Sequence, residues 1–127
     1  MVGKKKISAV IIDDEPFARM DLTCVLEGLP EVIFEIMGEA GSLGEARELL
    51  GRVLPDVVFL DLELRGGSGL DLLDAIAAPA RVIVVSAHSE IMDQARDSRL
   101  RYRLDKPVVE EQLLEALDGL PMGGNAG

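Results

Sequence analysis

A chain of 127 residues with 48% hydrophobic content holds one domain and is not disordered. Thirteen Lys and Arg against twenty-three Asp and Glu give a net charge of −10, which opposes binding to nucleic acid, where affinity rests on neutralising phosphates, and permits metal binding. The single cysteine, Cys24, excludes an internal disulfide and points to a reducing cytoplasm, while no apolar run approaches the roughly 20 residues of a membrane span.

The basic start Lys4-Lys5-Lys6 leads into Ile7–Ile12, an apolar run too short for a signal peptide and suited to a buried strand. Pro16, after Asp14 and Glu15, fits the first turn of a helix. Phe17, Met20 and Cys24 stand at helical spacing and read as core, with Gly28 closing the helix. Val32–Ile36 alternates and reads as an edge strand. Ser42 and Glu45 form a capping-box pattern. The helix they open carries the stripe Leu43, Ala46, Leu50 and Val53, with Gly51 near its end. Val57–Leu60 and Val82–Val85 are continuous apolar strands, and Arg101–Leu104 is a weaker fifth. Leu113, Leu114 and Leu117 mark a last helix. The pattern predicts an α/β domain over residues 1–120, a (βα)5 doubly wound five-stranded parallel sheet with strand order 2-1-3-4-5, and a loose tail from Pro121 to Gly127.

Ligands of such sheets bind outside the carboxyl ends of the strands, near the reversal of strand order. Those ends carry Asp13-Asp14, Asp61, Ser86 and Lys106-Pro107. Order 2-1-3-4-5 brings the three carboxylates together, with the hydroxyl and the ammonium arriving from the far side. Carboxylates so packed repel unless a cation compensates, and hard oxygens on an open site suit Mg²⁺. A divalent ion beside Asp61, flanked by Lys106, suits neutralisation of a phosphoryl group in transfer. Asp61 is then the natural nucleophile, forming an acyl phosphate to which Ser86 can donate.

Val10-Ile11-Ile12-Asp13-Asp14-Glu15-Pro16, Val57-Val58-Phe59-Leu60-Asp61, Gly69-Leu70, Ser86-Ala87 and Lys106-Pro107 together resemble the receiver domain of two-component response regulators, over roughly residues 7 to 118. The Asp-Asp-Glu-Pro opening and Ser86-Ala87-His88-Ser89-Glu90 are most similar to receivers of the LytTR class. The resemblance implies the flavodoxin-like fold. It implies Asp61 as phosphoacceptor and Asp13, Asp14, Asp61 and the Glu63 backbone carbonyl as Mg²⁺ ligands. Ser86 and Ala87 are implied at the phosphate-binding switch, Lys106 as the phosphate partner, and a cis bond at Lys106-Pro107. Glu63 and His88 would flank the phosphoryl group and modulate its hydrolysis.

The implied partners are a sensor histidine kinase or phosphotransfer protein and a downstream protein or output domain. The switching surface would be the face of the fourth helix, fifth strand and fifth helix, with a homodimer on phosphorylation as one outcome. The domain would be no enzyme beyond slow self-phosphorylation and self-dephosphorylation. Nothing after Lys106 is long enough for an output domain, so the sequence reads as a single-domain regulator or as a receiver cut from a larger one.

The chain departs from the family pattern in two places. Arg65 stands where many receivers have proline, and Gly66-Gly67-Ser68-Gly69 follows, which predicts a freer loop. Arg103 stands where a switch aromatic is usual, with Tyr102 one residue earlier, so either Tyr102 faces the opposite side of the strand or the strand is shifted by one residue. Arg96, Arg99, Arg101 and Arg103 read either as charges protecting an edge strand or as a docking surface for an acidic partner. Two other readings are a pseudo-receiver that signals only by binding and a small Mg²⁺-dependent phosphohydrolase of haloacid-dehalogenase type. Against the second, Glu63 stands where that chemistry wants aspartate.

Overall fold

Lys5–Ile12 (β1), Val57–Leu60 (β3) and Arg81–Ser86 (β6) form the middle of a five-stranded parallel sheet because they are apolar on both faces. Val32–Ala40 (β2) and Tyr102–Asp105 (β7) flank them, giving the order β2-β1-β3-β6-β7, which is the predicted 2-1-3-4-5. This computed structural model describes residues 5–30, 32–77, 79–87 and 102–118. The helices are Pro16–Glu27 (α1), Leu43–Leu50 (α2) and Glu110–Asp118 (α3). A two-residue hairpin, Glu63–Leu64 (β4) with Gly67–Ser68 (β5), precedes a 3-10 helix at Gly69–Ala75, where a regular third helix was expected. The predicted fourth helix and the tail from Pro121 lie outside the described residues.

Each face of the sheet is covered separately. Val10, Ile12, Val58, Leu60, Val82 and Val84 pack with Ala46, Leu49 and Leu50 of α2 and with Leu72 of the 3-10 helix. Ile11, Val57, Phe59, Ile83 and Leu104 pack on the other side with Leu22 and Leu26 of α1 and Leu113 and Leu117 of α3. Phe34 meets Phe59 there, ring centroids 6.2 Å apart. Of the predicted stripe, Ala46 and Leu50 are buried, Leu43 is partly so, and Val53 packs on the same core from beyond the end of α2, while Leu49 joins the buried face unpredicted. The strand β2 alternates as an edge strand does. No helix among the described residues is long and apolar enough to cross a membrane.

Cys24 corrects the sequence reading. It is exposed, as are Phe17 (76%) and Met20 (55%), while Leu22 and Leu26 face the sheet. Both sets are spaced by one helical turn, so the periodicity was right and the face wrong.

Helix ends follow local chemistry. Pro16 occupies the first turn of α1, and Gly28 and Gly51 close α1 and α2. Ser42 Oγ accepts the Glu45 N–H at 3.2 Å, and Glu45 Oε1 accepts the N–H of Gly41 at 2.8 Å, one residue earlier than in the usual box. Ser42→Ala removes the first of these and is expected to cost about 1 kcal/mol, read as a lower urea midpoint with unchanged slope.

Candidate functional site

The carboxyl ends of β1 and β3 carry two carboxylates side by side because the hydrogen-bond ladder continues past both strands. Asp61 N–H donates to the Ile12 carbonyl at 2.9 Å, and Asp13 N–H donates to that of Ala40 at 3.0 Å. Both side chains are buried, each residue 4% exposed. Each then caps its own turn: Asp13 Oδ1 accepts the Glu15 N–H and Asp61 Oδ1 the Glu63 N–H, both at 2.9 Å. The second oxygens converge on one cation, Lys106 Nζ, at 2.7 Å from Asp13 Oδ2 and 2.9 Å from Asp61 Oδ2.

Lys106 reaches this place from the end of β7. Its N–H donates to the Ser86 carbonyl at 3.3 Å, and its bond to Pro107 is cis, as the family resemblance implies. A cavity of about 370 Å³ opens beside the three groups, lined by Asp14, Glu15, Asp61, Glu63, Leu64, Ser86, Ala87 and Lys106. Ser86 is buried against it and Ala87 lies exposed at its rim. Of the sequence-predicted site residues, Asp14, Asp61, Glu63, Ser86, Ala87 and Lys106 line one pocket and Asp13 joins it through Lys106. Tyr102 and Arg103 do not line it, and His88 lies outside the described residues. Glu15 and Leu64 were not anticipated there. Glu15 belongs to the acidic opening of the motif and to the helix start, and its position beside two acids is the signal that places it here.

The electrostatics are unbalanced. Burial pushes the Asp61 carboxyl above its ordinary value, against the opposing pull of the Glu63 N–H and of Lys106, and nearby Asp13 adds to the rise. Burial alone would lower Lys106, but its hydrogen bonds to Asp13 and Asp61 outweigh this and hold the ammonium above its ordinary value. Lys106 thus answers both Asp13 and Asp61, on a pocket edge that also bears Asp14, Glu15 and Glu63. Asp13, Asp14 and Glu15 each offer a carboxylate oxygen within 4.8 Å of the others. Hard oxygens in excess of positive charge, beside a cavity with room for water, fit Mg²⁺.

The glycine-rich loop after Asp61 is tied down. Leu43 N–H donates to the Arg65 carbonyl at 3.2 Å, and Gly69 N–H to that of Leu62 at 2.8 Å. The turn of the hairpin needs glycine at Gly66 and Gly67, whose φ angles are +97° and +150°. On β7, Tyr102 pairs with Ile83 and joins the core layer of α1 and α3, whereas Arg103 pairs with Val84 and is exposed on the opposite face. The strand is not shifted to bring the aromatic ring round. Arg96, Arg99 and Arg101 lie outside the described residues.

Comparison with known proteins agrees with this geometry. Residues 9–118 match the family model described as the response regulator receiver domain. The transcriptional regulatory protein BtsR of Salmonella typhi is 32% identical over 116 residues, covering 90% of this chain and 48% of that one. The sensory transduction protein LytT of Bacillus cereus is 32% identical over 114 residues, covering 87% and 46%. The receiver domain of the response regulator PhyR from Erythrobacter litoralis superposes with a TM-score of 0.76 at 26% identity, over 90% of this chain and 88% of that one. The chain spans about half the length of BtsR and LytT, and identities of this size fix a family rather than a class within it.

Proposed function

The chain belongs to the response regulator receiver domain family, and from that premise we propose that Asp61 accepts a phosphoryl group from a phosphohistidine on a sensor kinase or phosphotransfer protein. The observation that carries this reading is the buried Asp61 carboxylate, oriented by the Glu63 N–H and by Lys106 at the mouth of an acid-rich cavity. An Asp61 oxygen attacks phosphorus, the P–N bond breaks, and the imidazole departs with the bonding pair. Lys106 is free to pass from the carboxylate to a phosphoryl oxygen, and Ser86 donates its hydroxyl to another. Asp13, Asp14, Asp61 and the Glu63 carbonyl would hold Mg²⁺, which when bound neutralises phosphoryl charge. Glu63 and His88 would set how readily water reaches the acyl phosphate. The domain is a signalling module with slow self-phosphorylation and self-dephosphorylation rather than a turnover enzyme.

Its output would run through the fifth strand of the sheet, β7, and the helices beside it, toward a downstream protein, an output domain or a second copy of the chain. Exposed Arg103, off the core face, fits electrostatic docking better than aromatic switching. The test is the intact mass after incubation with Mg²⁺ and acetyl phosphate. A gain of one phosphoryl group is expected, absent in EDTA and absent in Asp61→Asn. No gain from acetyl phosphate or phosphoramidate would replace this reading with a pseudo-receiver that acts by binding alone.

A further inference from the structure

Arg19 is a half-buried cation that the phosphoryl chemistry above does not use, yet its guanidinium reaches the acid pair from behind. Nη1 donates to the backbone carbonyl of Asp13, while Nε holds Glu39 Oε1 of β2 at 3.1 Å. Its side chain is 20% exposed against 44% for Glu39. The space it occupies is kept clear by Gly41, where a Cβ would stand 3.0 Å from Nη1.

We propose that Arg19 is a positioning residue for the cation site: it fixes the peptide between Asp13 and Asp14, and Glu39 fixes Arg19. This rests on the reading of the pocket as a Mg²⁺ site. Asp13 has four restraints: its N–H on the Ala40 carbonyl, Oδ1 on the Glu15 N–H, Oδ2 on Lys106, and its carbonyl on Arg19. The first three set the Asp13 residue and side chain. The fourth alone acts on the peptide plane from which Asp14 hangs, and the Asp14 side chain, facing the cavity, has no other described anchor. Holding that plane gathers the carboxylates before the ion arrives, so less ordering remains to be done on binding. Arg is suited to the task because its planar fork grips a carbonyl and a carboxylate at once, which an ammonium does less well.

The sign of the effect separates positioning from simple charge. A guanidinium this close to a cation site repels the ion, so removing its charge should tighten Mg²⁺ binding if the field were its only influence. Positioning demands the reverse. Calorimetric titration of MgCl₂ at constant ionic strength, with melting temperatures in EDTA alongside, makes the distinction. Arg19→Gln is expected to weaken Mg²⁺ by about tenfold, and Arg19→Lys, which keeps the charge, to weaken it too. Glu39→Gln, a milder change at an exposed residue, should weaken binding alone and add nothing in the Arg19→Gln background. Unchanged or tighter binding in Arg19→Gln, with only a lower melting temperature, would overturn the proposal, as would additive effects of the two changes. Absence of Mg²⁺ binding by the wild type would overturn the functional reading along with it.

Discussion

Lys106→Ala is expected to cost about 3 kcal/mol of stability at neutral pH in EDTA, because it leaves Asp13 and Asp61 buried without their cation. The low end of the range for a broken buried pair applies, since the Lys106 side chain keeps 18% of its exposure. The pH dependence has a definite sign. Lys106 is held above its ordinary value of 10.5 in the fold, so its contribution is fully present below that value and is lost as pH rises through the folded one. Wild type should therefore show a loss of stability at alkaline pH that the variant lacks. At the acid end, the Asp61 carboxyl is also raised, so its protonated form is favoured by folding and its ionised form is a burden at neutral pH. Losing the ammonium increases that burden, and the deficit of Lys106→Ala should shrink as pH falls through the carboxylate range. Urea unfolding of both proteins across pH measures this; a deficit of equal size at every pH would show that Lys106 acts through packing alone. Added Mg²⁺ should restore part of the loss by binding the native state only.

The same electrostatic frustration made the site readable in the sequence. Asp13-Asp14, Asp61 and Ser86 each follow a run whose continuous apolarity marks a central parallel strand, Lys106 follows the weaker edge strand, and strand order then brings them together. Pairing β1 with β3 and β3 with β6 puts the ends of those strands in register, as the topology required. What stayed hidden depended on long-range choices. The helix α1 carries two stripes of helical spacing, one through Phe17, Met20 and Cys24 and one through Leu22 and Leu26, continued by Leu29 past its end, and only packing on the sheet selects the second. The faces of Tyr102 and Arg103 are set by register against β6, which local sequence does not encode. Arg19 was equally illegible, because a solvated helical arginine and one that clamps a carbonyl look identical until β2 places Glu39 beside it.

The loop after Asp61 gives the second large effect. Gly69→Ala is expected to lower stability by about 3 kcal/mol and phosphoryl acceptance by roughly a hundredfold. A Cβ on Gly69 would lie 2.2 Å from the Asp61 carbonyl oxygen, 3.0 Å from Leu62 Cα and 3.1 Å from the Asp61 carbonyl carbon. All three are backbone atoms, so no flexible side-chain end can give way, and the chain bearing the nucleophile must move instead. The cause is space alone, since the positive φ angles of this loop fall on Gly66 and Gly67. Movement there also strains the Gly69 N–H bond to the Leu62 carbonyl and, through Leu62 and Glu63, the N–H that orients Asp61 Oδ1. Gly44→Ala supplies the contrast, because a Cβ on Gly44 meets nothing within 4 Å. In α2 it should be neutral or stabilising by up to about 1 kcal/mol and leave acceptance unchanged. Urea midpoints and the rate of phosphoryl mass gain from acetyl phosphate decide the matter. If Gly69→Ala matched Gly44→Ala in both, the close approach of this loop to Asp61 would not be what holds the nucleophile in place.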